Sequence, residues 1–545
     1  MPKGNPPRST SGANARRLIA AFAAFALVAQ PLAPALEVIS SARAQTLPDL
    51  GEDSRALYAP AQVPKRQPPA PAADPLPSER PLSLPDLGDE SQALYSPAQE
   101  RKLGESVVRQ IRASGAYLDD PEVNDYLNDI GHRLLAARPD SPWDFQFFAI
   151  ADPAVNAFAL PGGFVGVNAG LILMTQNESE LASVLGHEIT HVTQHHFTRS
   201  MAGQRRTLLY SLAALAVAVA AATSKSPSAG QATNAALASA QAIAIQSQLN
   251  YTRENEYEAD RIGFQRVALA GYDTTAMATM FQRLQKQGRF SDGSTPSYLR
   301  THPITTERVA EAQARAEKEP YRQVADSLDF QMVRALLRSY QGTPREAVVF
   351  FDSAIAERKY NSEVAERYGL VASLLRANDL KRAKVELAAL EKIAPPHPMI
   401  EAMAGHVYME AGDLDVAIAR FGAALQRYPN KMQLVYDYPE ALLKARRPAE
   451  AAAFVDRELT SFPDDGRLHL IAAQAYAALG KQMQEHRHQG EYYAWQGDLK
   501  AAVFQLELAS KAGDGDFYQA SVIETRLRTL RRELAEQQAA AAKQG

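Results

Sequence analysis

The 545-residue sequence contains no cysteine, and this absence limits both how the chain is anchored and how it can bind a metal. Without cysteine we expect neither a disulfide bond nor a lipoprotein anchor. A structural zinc usually has four protein ligands, often cysteines, whereas a catalytic zinc keeps three and leaves one position to water. Any zinc ligand in this chain must therefore be a histidine, aspartate or glutamate side chain.

The sequence also lacks an excess of basic residues and lacks long apolar runs. Its formal net charge is -4, so we expect no nucleic-acid partner. The apolar runs Leu18–Ala29 and Leu208–Ala222 are both shorter than the roughly 20 residues of a membrane-spanning helix. We expect the second run, together with Ala235–Ile245, to form small-residue helices on the catalytic domain. A hairpin that makes peripheral membrane contact is the alternative.

The N-terminal segment is predicted to lie outside any folded domain. A pair of arginines precedes the first apolar run, and Ala42-Arg43-Ala44 forms a small-x-small cleavage site, as in a secretory signal peptide. We expect residues 1–44 to be removed, with an uncleaved membrane anchor as the alternative. Residues 45–83 are rich in proline and should form an extended linker, and their Leu-Pro-Asp-Leu-Gly segment recurs at residues 84–88.

The most informative motif is His187-Glu188-Ile189-Thr190-His191, an H-E-x-x-H pentapeptide in a segment that is predicted to be helical. Residues four apart share a helix face, so both imidazoles can bind one metal ion. The glutamate beside the first histidine can reach the water that the metal binds. Asn177 and Glu180 predict the helix start as a capping box, and apolar residues bury one side of the helix. The motif therefore predicts a zinc hydrolase site on a rigid helix.

The third ligand is expected from an acidic segment that opens a second amphipathic helix about 65 residues later. Glu256 and Asp260 share one face of this helix. We assign Glu256 as the third zinc ligand and Asp260 as the carboxylate that orients a zinc-bound imidazole through its other nitrogen. The alternative is an acidic first turn that only complements the helix dipole. Of two further histidines, His195 is a candidate support for the ligands, whereas His196 is predicted to lie on the surface.

These motifs resemble those of the HtpX-like gluzincin metallopeptidases. The resemblance rests on H-E-x-x-H, on the E-x-x-x-D pattern that follows, and on Thr301-His302-Pro303 with Arg308. It implies that His302 and Arg308 belong to the catalytic site. For His302 it implies one of two roles, namely a donor to the developing oxyanion or a fourth metal ligand that closes the site at rest.

A short β-hairpin is predicted before the zinc helix. Hydrophobic residues alternate around proline and glycine turns between Phe148 and Val167. Within this region, Asn156-Ala157-Phe158 resembles the start of the edge strand on which substrate lies in the same family, so these three residues are implied to bind substrate. An edge strand can accept an extended peptide by strand addition, which suits a protease of unfolded chains.

After about residue 319 the sequence becomes helical and repetitive. Pro395, Pro429 and Pro463 are spaced 34 residues apart. This is the period of tetratricopeptide repeats, which stack into a solenoid with a concave binding groove. We expect a solenoid over residues 319–534 that folds alone and docks partners, followed by a flexible tail over residues 535–545.

The predicted fold is an α+β zincin-like metallopeptidase domain over residues 84–318, mostly helical with a small sheet, followed by the all-α solenoid. The predicted reaction is hydrolysis of peptide bonds by water bound to one Zn²⁺ per chain, with Glu188 as general base. The resemblance extends to family members with C-terminal repeats. It implies a protease in the periplasm of a Gram-negative bacterium that acts on misfolded outer-membrane proteins and contacts their assembly machinery.

Two other functions remain open from the sequence. The first is a chaperone or assembly factor for outer-membrane proteins in which proteolysis is rare or conditional. The second is a structural zinc protein, which the presence of Glu188 disfavours because a structural site needs no general base.

Overall fold

The structure is a computed structural model that describes residues 96–201, 252–290 and 297–542. The expectations for the signal peptide, the proline-rich linker, the duplicated segment and the two apolar stretches before the second acidic helix concern residues outside these ranges. Within these ranges, no helix is long and apolar enough to cross a membrane.

The peptidase part begins with two capped helices and a small sheet. The helices are α1 (Pro97–Ala113) and α2 (Pro121–Ala137), and both have proline in the first turn. The strands are β1 (Gln146–Ile150), β2 (Ala157–Leu160) and β3 (Phe164–Asn168). The central strand is β3, which runs parallel to β1 and antiparallel to β2. β2 and β3 therefore form the predicted hairpin, and β2 is an edge strand.

The turn between β2 and β3 requires glycine and is held by α1. Gly162 and Gly163 have φ angles of 78° and 94°, a region that other residues rarely adopt. A Cβ atom on Gly162 would lie 2.4 Å from the Cα atom of Arg101. The guanidinium of Arg101 donates a hydrogen bond to the carbonyl of Gly162 at 2.8 Å and lies over the ring of Phe164. These contacts fix the position of the edge strand.

Seven more helices complete the peptidase part in the described residues. They are α3 (Ala169–Met174), α4 (Glu178–Thr193), α5 (196–201), α6 (252–269), α7 (Ala276–Phe290), α8 (Ser297–Thr301) and α9 (Thr306–Ala316). Every residue of α4 except His191 is buried, so this helix lies at the centre of the domain. Asn177 caps α4 as predicted, but the carboxylate of Glu180 accepts from the backbone N–H of Gln176 and does not complete a capping box.

Twelve helices form the repeat region in the described residues. They are α10 (Leu328–Ser339), α11 (Pro344–Glu357), α12 (Glu363–Arg376), α13 (Leu380–Ile393), α14 (Pro398–Glu410), α15 (Leu414–Arg427), α16 (Met432–Lys444), α17 (Pro448–Ser461), α18 (Gly466–Ala478), α19 (Gln482–Gln496), α20 (Leu499–Lys511) and α21 (Phe517–Ala542). The first helices of the first five pairs begin 34 or 35 residues apart, which is the predicted period.

The last helix differs from the expected end of the chain. α21 is 26 residues long and extends to Ala542. Residues 535–542 are therefore helical, although we expected them to belong to a flexible tail. The side chains of Ile523, Leu527 and Leu530 pack with α20, and this apolar stripe anchors the first half of the long helix.

The repeat region shares its core with the peptidase part. The ring of Phe330 in α10 packs against Tyr126 of α2, with ring centroids 6.4 Å apart. Ser327, which caps α10, donates its hydroxyl hydrogen to the buried carboxylate of Glu178 at 2.7 Å. Removing the peptidase part would expose these apolar and polar groups to water. The structure therefore argues against the expectation that the whole repeat region folds alone.

Acidic residues of α2 contact the repeats in succession. Asp120, which caps α2, accepts from Tyr340 at 2.6 Å, and Glu122 accepts a hydrogen bond from Tyr368. Further along, Asp125 accepts from the backbone N–H of Met432 at 2.9 Å, and Asp129 pairs with Lys431 at 2.6 Å. Part of the surface that we expected to bind partners is thus covered by the chain's own α2.

Candidate metal centre

The candidate metal centre lies where α4 crosses α6 at a pair of glycines. A Cβ atom on Gly263 would lie 3.0 Å from the backbone carbonyl of Gly186, so a side chain at this position would push the two helices slightly apart. This close approach brings the α6 carboxylates of Glu256 and Asp260 against His187 on α4.

Four side chains converge at this crossing. His187, His191, Glu256 and His302 each offer one ligand atom, and these atoms lie within 4.8 Å of one another. The Nε2 atoms of His187 and His191 are 3.0 Å apart, and Nδ1 of His302 is 3.0 Å from Oε1 of Glu256. The three ligands expected from the motifs are therefore adjacent. The side chain of His302 lies with them.

The charges of these groups suit a divalent metal ion. Burial lowers the pKa of His191 to about 3, which keeps the ring neutral, as a metal ligand must be. Burial opposes protonation of His187 as well, but hydrogen bonds to Asp260 and Glu256 raise its pKa to about 10. Although burial alone would raise the pKa of Glu256, the neighbouring imidazoles hold it well below its usual value. A cation that replaced the His187 proton would meet neutral imidazoles and an ionised carboxylate.

Glu188 is fully buried, and neither of its carboxylate oxygens has a hydrogen-bond partner among the described residues. Its Oε1 atom is 3.6 Å from Nε2 of His302. A buried carboxylate without a partner is costly unless water or a ligand binds to it. Burial also raises the pKa of Glu188, and a higher pKa favours a carboxylate that must take up a proton during a reaction.

Asp260 and Arg308 contact the candidate ligands His187 and Glu256. Oδ1 of Asp260 lies 2.9 Å from Nδ1 of His187, although the two atoms meet off the axis of a linear hydrogen bond. Arg308 binds both oxygens of Asp260 at 2.7 and 2.8 Å, and it also contacts Glu256 at 2.8 Å and the carbonyl of Pro303. The guanidinium is therefore occupied by protein groups. This geometry is that of a positioning residue and differs from the catalytic role that we expected for Arg308.

His302 is held by its own short helix. Its ring stacks on Tyr298 with centroids 4.7 Å apart, and its backbone N–H bonds to the carbonyl of Tyr298. The backbone N–H of Tyr298 in turn donates to the carbonyl of Val155 at 3.3 Å. The segment that carries His302 is thus attached to the residue just before the expected substrate-binding strand.

The edge strand has backbone groups that do not pair with β3. Asn168 donates its backbone N–H to the carbonyl of Asn156, so residues 156, 158 and 160 pair with β3. In an antiparallel ladder, Ala157 and Ala159 then direct their N–H and C=O groups to the open side of the sheet. Of the three expected substrate-binding residues, Ala157 directs its backbone groups to this side, but the residue is fully buried. The ring of Phe158 packs against the ring of Phe148 on one face of the sheet. The Oδ1 atom of Asn156 is buried and has no hydrogen-bond partner in the described residues.

The prediction that His196 lies on the surface is wrong. Its side chain is buried, its Nδ1 atom lies 2.9 Å from Nδ1 of His191, and its Nε2 atom lies 3.1 Å from Glu258. The reason is that α4 ends at Thr193 and His195 adopts a left-handed φ of 53°, which turns the chain back toward the metal centre. His195, the residue that we expected near the ligands, instead lies 3.4 Å from Glu100.

Comparisons with known proteins agree with this geometry. The chain matches the model of peptidase family M48 over residues 121–316 and that of the tetratricopeptide repeat over residues 402–466. The beta-barrel assembly-enhancing protease of Escherichia coli K12 is 32% identical over 420 residues, which cover 75% of this chain and 83% of the relative. The protein of the same name from Yersinia pestis is 31% identical over 423 residues, which cover 75% and 84%.

A more distant relative matches a shorter part of the chain. The mitochondrial metalloendopeptidase OMA1 of Arabidopsis thaliana is 30% identical over 164 residues, which cover 30% of each chain. The chain therefore belongs to the M48 metallopeptidases and, within them, to the family of the beta-barrel assembly-enhancing proteases. It is a metalloendopeptidase followed by a tetratricopeptide region. This confirms the family, the fold class and the enzyme class that the motifs predicted.

Proposed function

We propose that this chain is a periplasmic zinc endopeptidase that cleaves misfolded or stalled outer-membrane β-barrel proteins. The observation that carries the proposal is the convergence of His187, His191 and Glu256 beside the unpartnered carboxylate of Glu188. Nitrogen and oxygen ligands of this kind are typical of catalytic zinc. The predicted export signal and the names of the relatives support the compartment and the substrate class.

In this proposal the chain's own residues divide the catalytic work. When bound, zinc supplies a Lewis acid that lowers the pKa of water and polarises the scissile carbonyl. Glu188 accepts a proton from that water at its carboxylate and returns it to the leaving amine. Asp260 and Arg308 keep His187 and Glu256 in place, so that the ligands need not reorganise during the reaction.

The substrate would bind as an additional strand. Ala159 can form backbone hydrogen bonds with an extended peptide on the open side of β2, and the fully buried Ala157 can do so once the chain that covers it has moved. Only an unfolded or unpaired segment can offer its backbone in this way. A β-barrel protein that has not completed its sheet contains such segments, whereas the finished barrel has no free strand edges.

We propose that His302 is chiefly a gate. Its imidazole lies with the three ligands, where it would occupy the position that the reactive water needs. The Tyr298–Val155 hydrogen bond places the same segment beside the entrance to the edge strand. Client binding would then open the site by favouring the conformation in which this segment has moved away.

We further propose that clients and assembly partners dock on the C-terminal repeats. The acidic residues of α2 contact the first, second and fourth helix pairs, and Trp495 of α19 packs against Tyr117 of the peptidase part, so we place the docking surface on the last two helices. Phe504 on α20 and Phe517 and Tyr518 on α21 are exposed aromatic side chains there. Such residues commonly anchor protein partners.

The function can be tested with purified full-length protein and an unfolded outer-membrane β-barrel protein. Zinc-loaded parent should produce fragments over time, whereas Glu188→Gln should bind the barrel protein without cleaving it. The alternative, a chaperone or assembly factor, predicts a different result. The barrel protein would stay intact with both forms, and both would speed its insertion into lipid vesicles equally.

A further inference from the structure

The two histidine ligands of α4 are supported in different ways. Nδ1 of His187 faces the carboxylate of Asp260 directly, at 2.9 Å. Nδ1 of His191 instead faces a second imidazole, that of His196, at 2.9 Å. His196 then contacts Glu258 through Nε2 at 3.1 Å, and the same carboxylate oxygen accepts from Arg199 at 3.0 Å. A row of four side chains therefore leads from the metal centre to the partly exposed surface of α6.

The direction of each hydrogen bond follows from the metal-facing atom. Nε2 of His191 lies 3.0 Å from Nε2 of His187 and 3.4 Å from Glu256, so Nε2 is the atom that meets the metal. That atom must offer a lone pair, which leaves the ring hydrogen of neutral His191 on Nδ1. Nδ1 of His196 must then accept this hydrogen, and the hydrogen of His196 lies on Nε2. Glu258 is an acceptor in the right place, and Arg199 neutralises its charge.

We propose that His196 and Glu258 form a positioning relay that fixes the tautomer and the ring orientation of the metal ligand His191. The proposal rests on the zinc site proposed above. His196 lies on α5 and Glu258 on α6, so the relay also ties the helix that follows the H-E-x-x-H motif to the helix that carries Glu256. Supports of this kind typically affect metal affinity or activity by about 10- to 100-fold when they are removed.

The test measures zinc affinity of the full chain by competition with a chelator of known affinity. Glu258→Ala removes the last acceptor, and its zinc dissociation constant should rise by about 10- to 100-fold. Glu258→Gln keeps an acceptor oxygen and should restore most of the affinity. Glu254→Ala, which removes an exposed carboxylate one turn earlier on α6, is the matched control and should bind zinc like the parent.

A second variant and a spectroscopic readout separate the relay from general instability. His196→Phe keeps the ring volume but removes the acceptor, and the double variant with Glu258→Ala should be no weaker in zinc affinity than His196→Phe alone. With Co²⁺ in the site, Glu258→Ala should shift the visible absorption bands while Glu254→Ala leaves them unchanged. If His196→Phe fails to fold, the partly exposed Glu258 still carries the test.

Two results distinguish a failure of the relay from a failure of the proposed site. If the parent binds zinc tightly and Glu258→Ala has the same affinity and the same Co²⁺ spectrum, the relay is overturned while the zinc site stands. If the parent does not bind zinc, the proposed site itself is overturned, and the relay with it.

Discussion

Tyr340 donates its hydroxyl hydrogen to Asp120 at 2.6 Å, and this bond joins the first repeat to the residue that caps α2. The other oxygen of Asp120 accepts from the backbone N–H of Val123. Burial raises the pKa of Asp120 and also those of Glu122 and Asp125 on the same helix. The contact between the peptidase and the repeats should therefore depend on pH.

Asp125 provides the clearest pH prediction, because burial raises its pKa to about 7. The unfolded carboxyl loses its proton near pH 4, so the folded state binds more protons between about pH 4 and pH 7. The free energy of unfolding should then fall as pH rises through this window. Asp125→Asn can still accept from Met432 and should raise stability at pH 8 by on the order of 1 kcal/mol.

The measurement is the Tm of parent and variant at pH 5 and pH 8. Asp129→Asn is the control, since this exposed residue of α2 also contacts the repeats, through Lys431. Asp125→Asn should narrow the difference in Tm between the two pH values, and the control should not. An unchanged difference in the Asp125 variant would show that this carboxyl is already ionised in the folded protein at pH 5.

Glu188→Gln should retain metal and fold but lose general-base catalysis. The amide is nearly isosteric and cannot take up the proton, so hydrolysis of unfolded casein should fall by about 10²- to 10⁴-fold. Metal content by elemental analysis should match the parent. Glu317→Gln, at an exposed position after α9, is the control for loss of one charge. Parent-like casein hydrolysis by the Glu188 variant would rule out the proposed mechanism.

Glu256→Ala should lose the metal on dialysis, because it removes the anionic ligand and leaves only the neutral imidazoles of His187, His191 and His302. The parent should contain one zinc per chain. Elemental analysis of both proteins after dialysis gives the comparison, with Glu254→Ala as the control on the same helix. A full zinc complement in Glu256→Ala would remove this residue from the ligand set.

His302→Ala distinguishes the two roles of that histidine by the sign of its effect. If His302 is a gate that occupies the water position, its removal should raise the rate of basal proteolysis or self-cleavage. An oxyanion donor should instead give a loss of roughly 2.7 to 4 kcal/mol in transition-state stabilisation, which is about a hundredfold or more in rate. Initial rates on a fluorogenic peptide, together with the zinc content, measure the difference. A large loss of rate with zinc retained would contradict the gate.

The sequence allowed prediction of those parts of the site that depend on regular helical spacing. His187, Glu188 and His191 follow from one turn of helix, and the carboxylate pair on α6 follows from the same spacing. The small sheet and the repeat period were also predictable, because alternation and a 34-residue period are local patterns. The fold class followed from these elements and from the family resemblance.

Other features depend on contacts that no local pattern contains. His196 reaches His191 only because His195 adopts a left-handed conformation after α4, and helical periodicity extended through this point places His196 wrongly. Arg308 contacts Asp260 across 48 residues of chain, so its positioning geometry is visible only in the folded structure. The contact between α2 and the repeats could not be predicted for the same reason, because Asp125 and Met432 are 307 residues apart.

The glycine pair at the crossing of α4 and α6 sets the distance between the two halves of the candidate metal centre. Gly186 and Gly263 let the backbones touch, and no flexible side chain lies between them to absorb a displacement. A single methyl group at either position would shift Glu256 and Asp260 together relative to the histidines. The distance between the histidines and the carboxylates thus depends on two residues that take no part in the chemistry. A substitution of either glycine would lower both metal affinity and activity, although every functional residue would still be present.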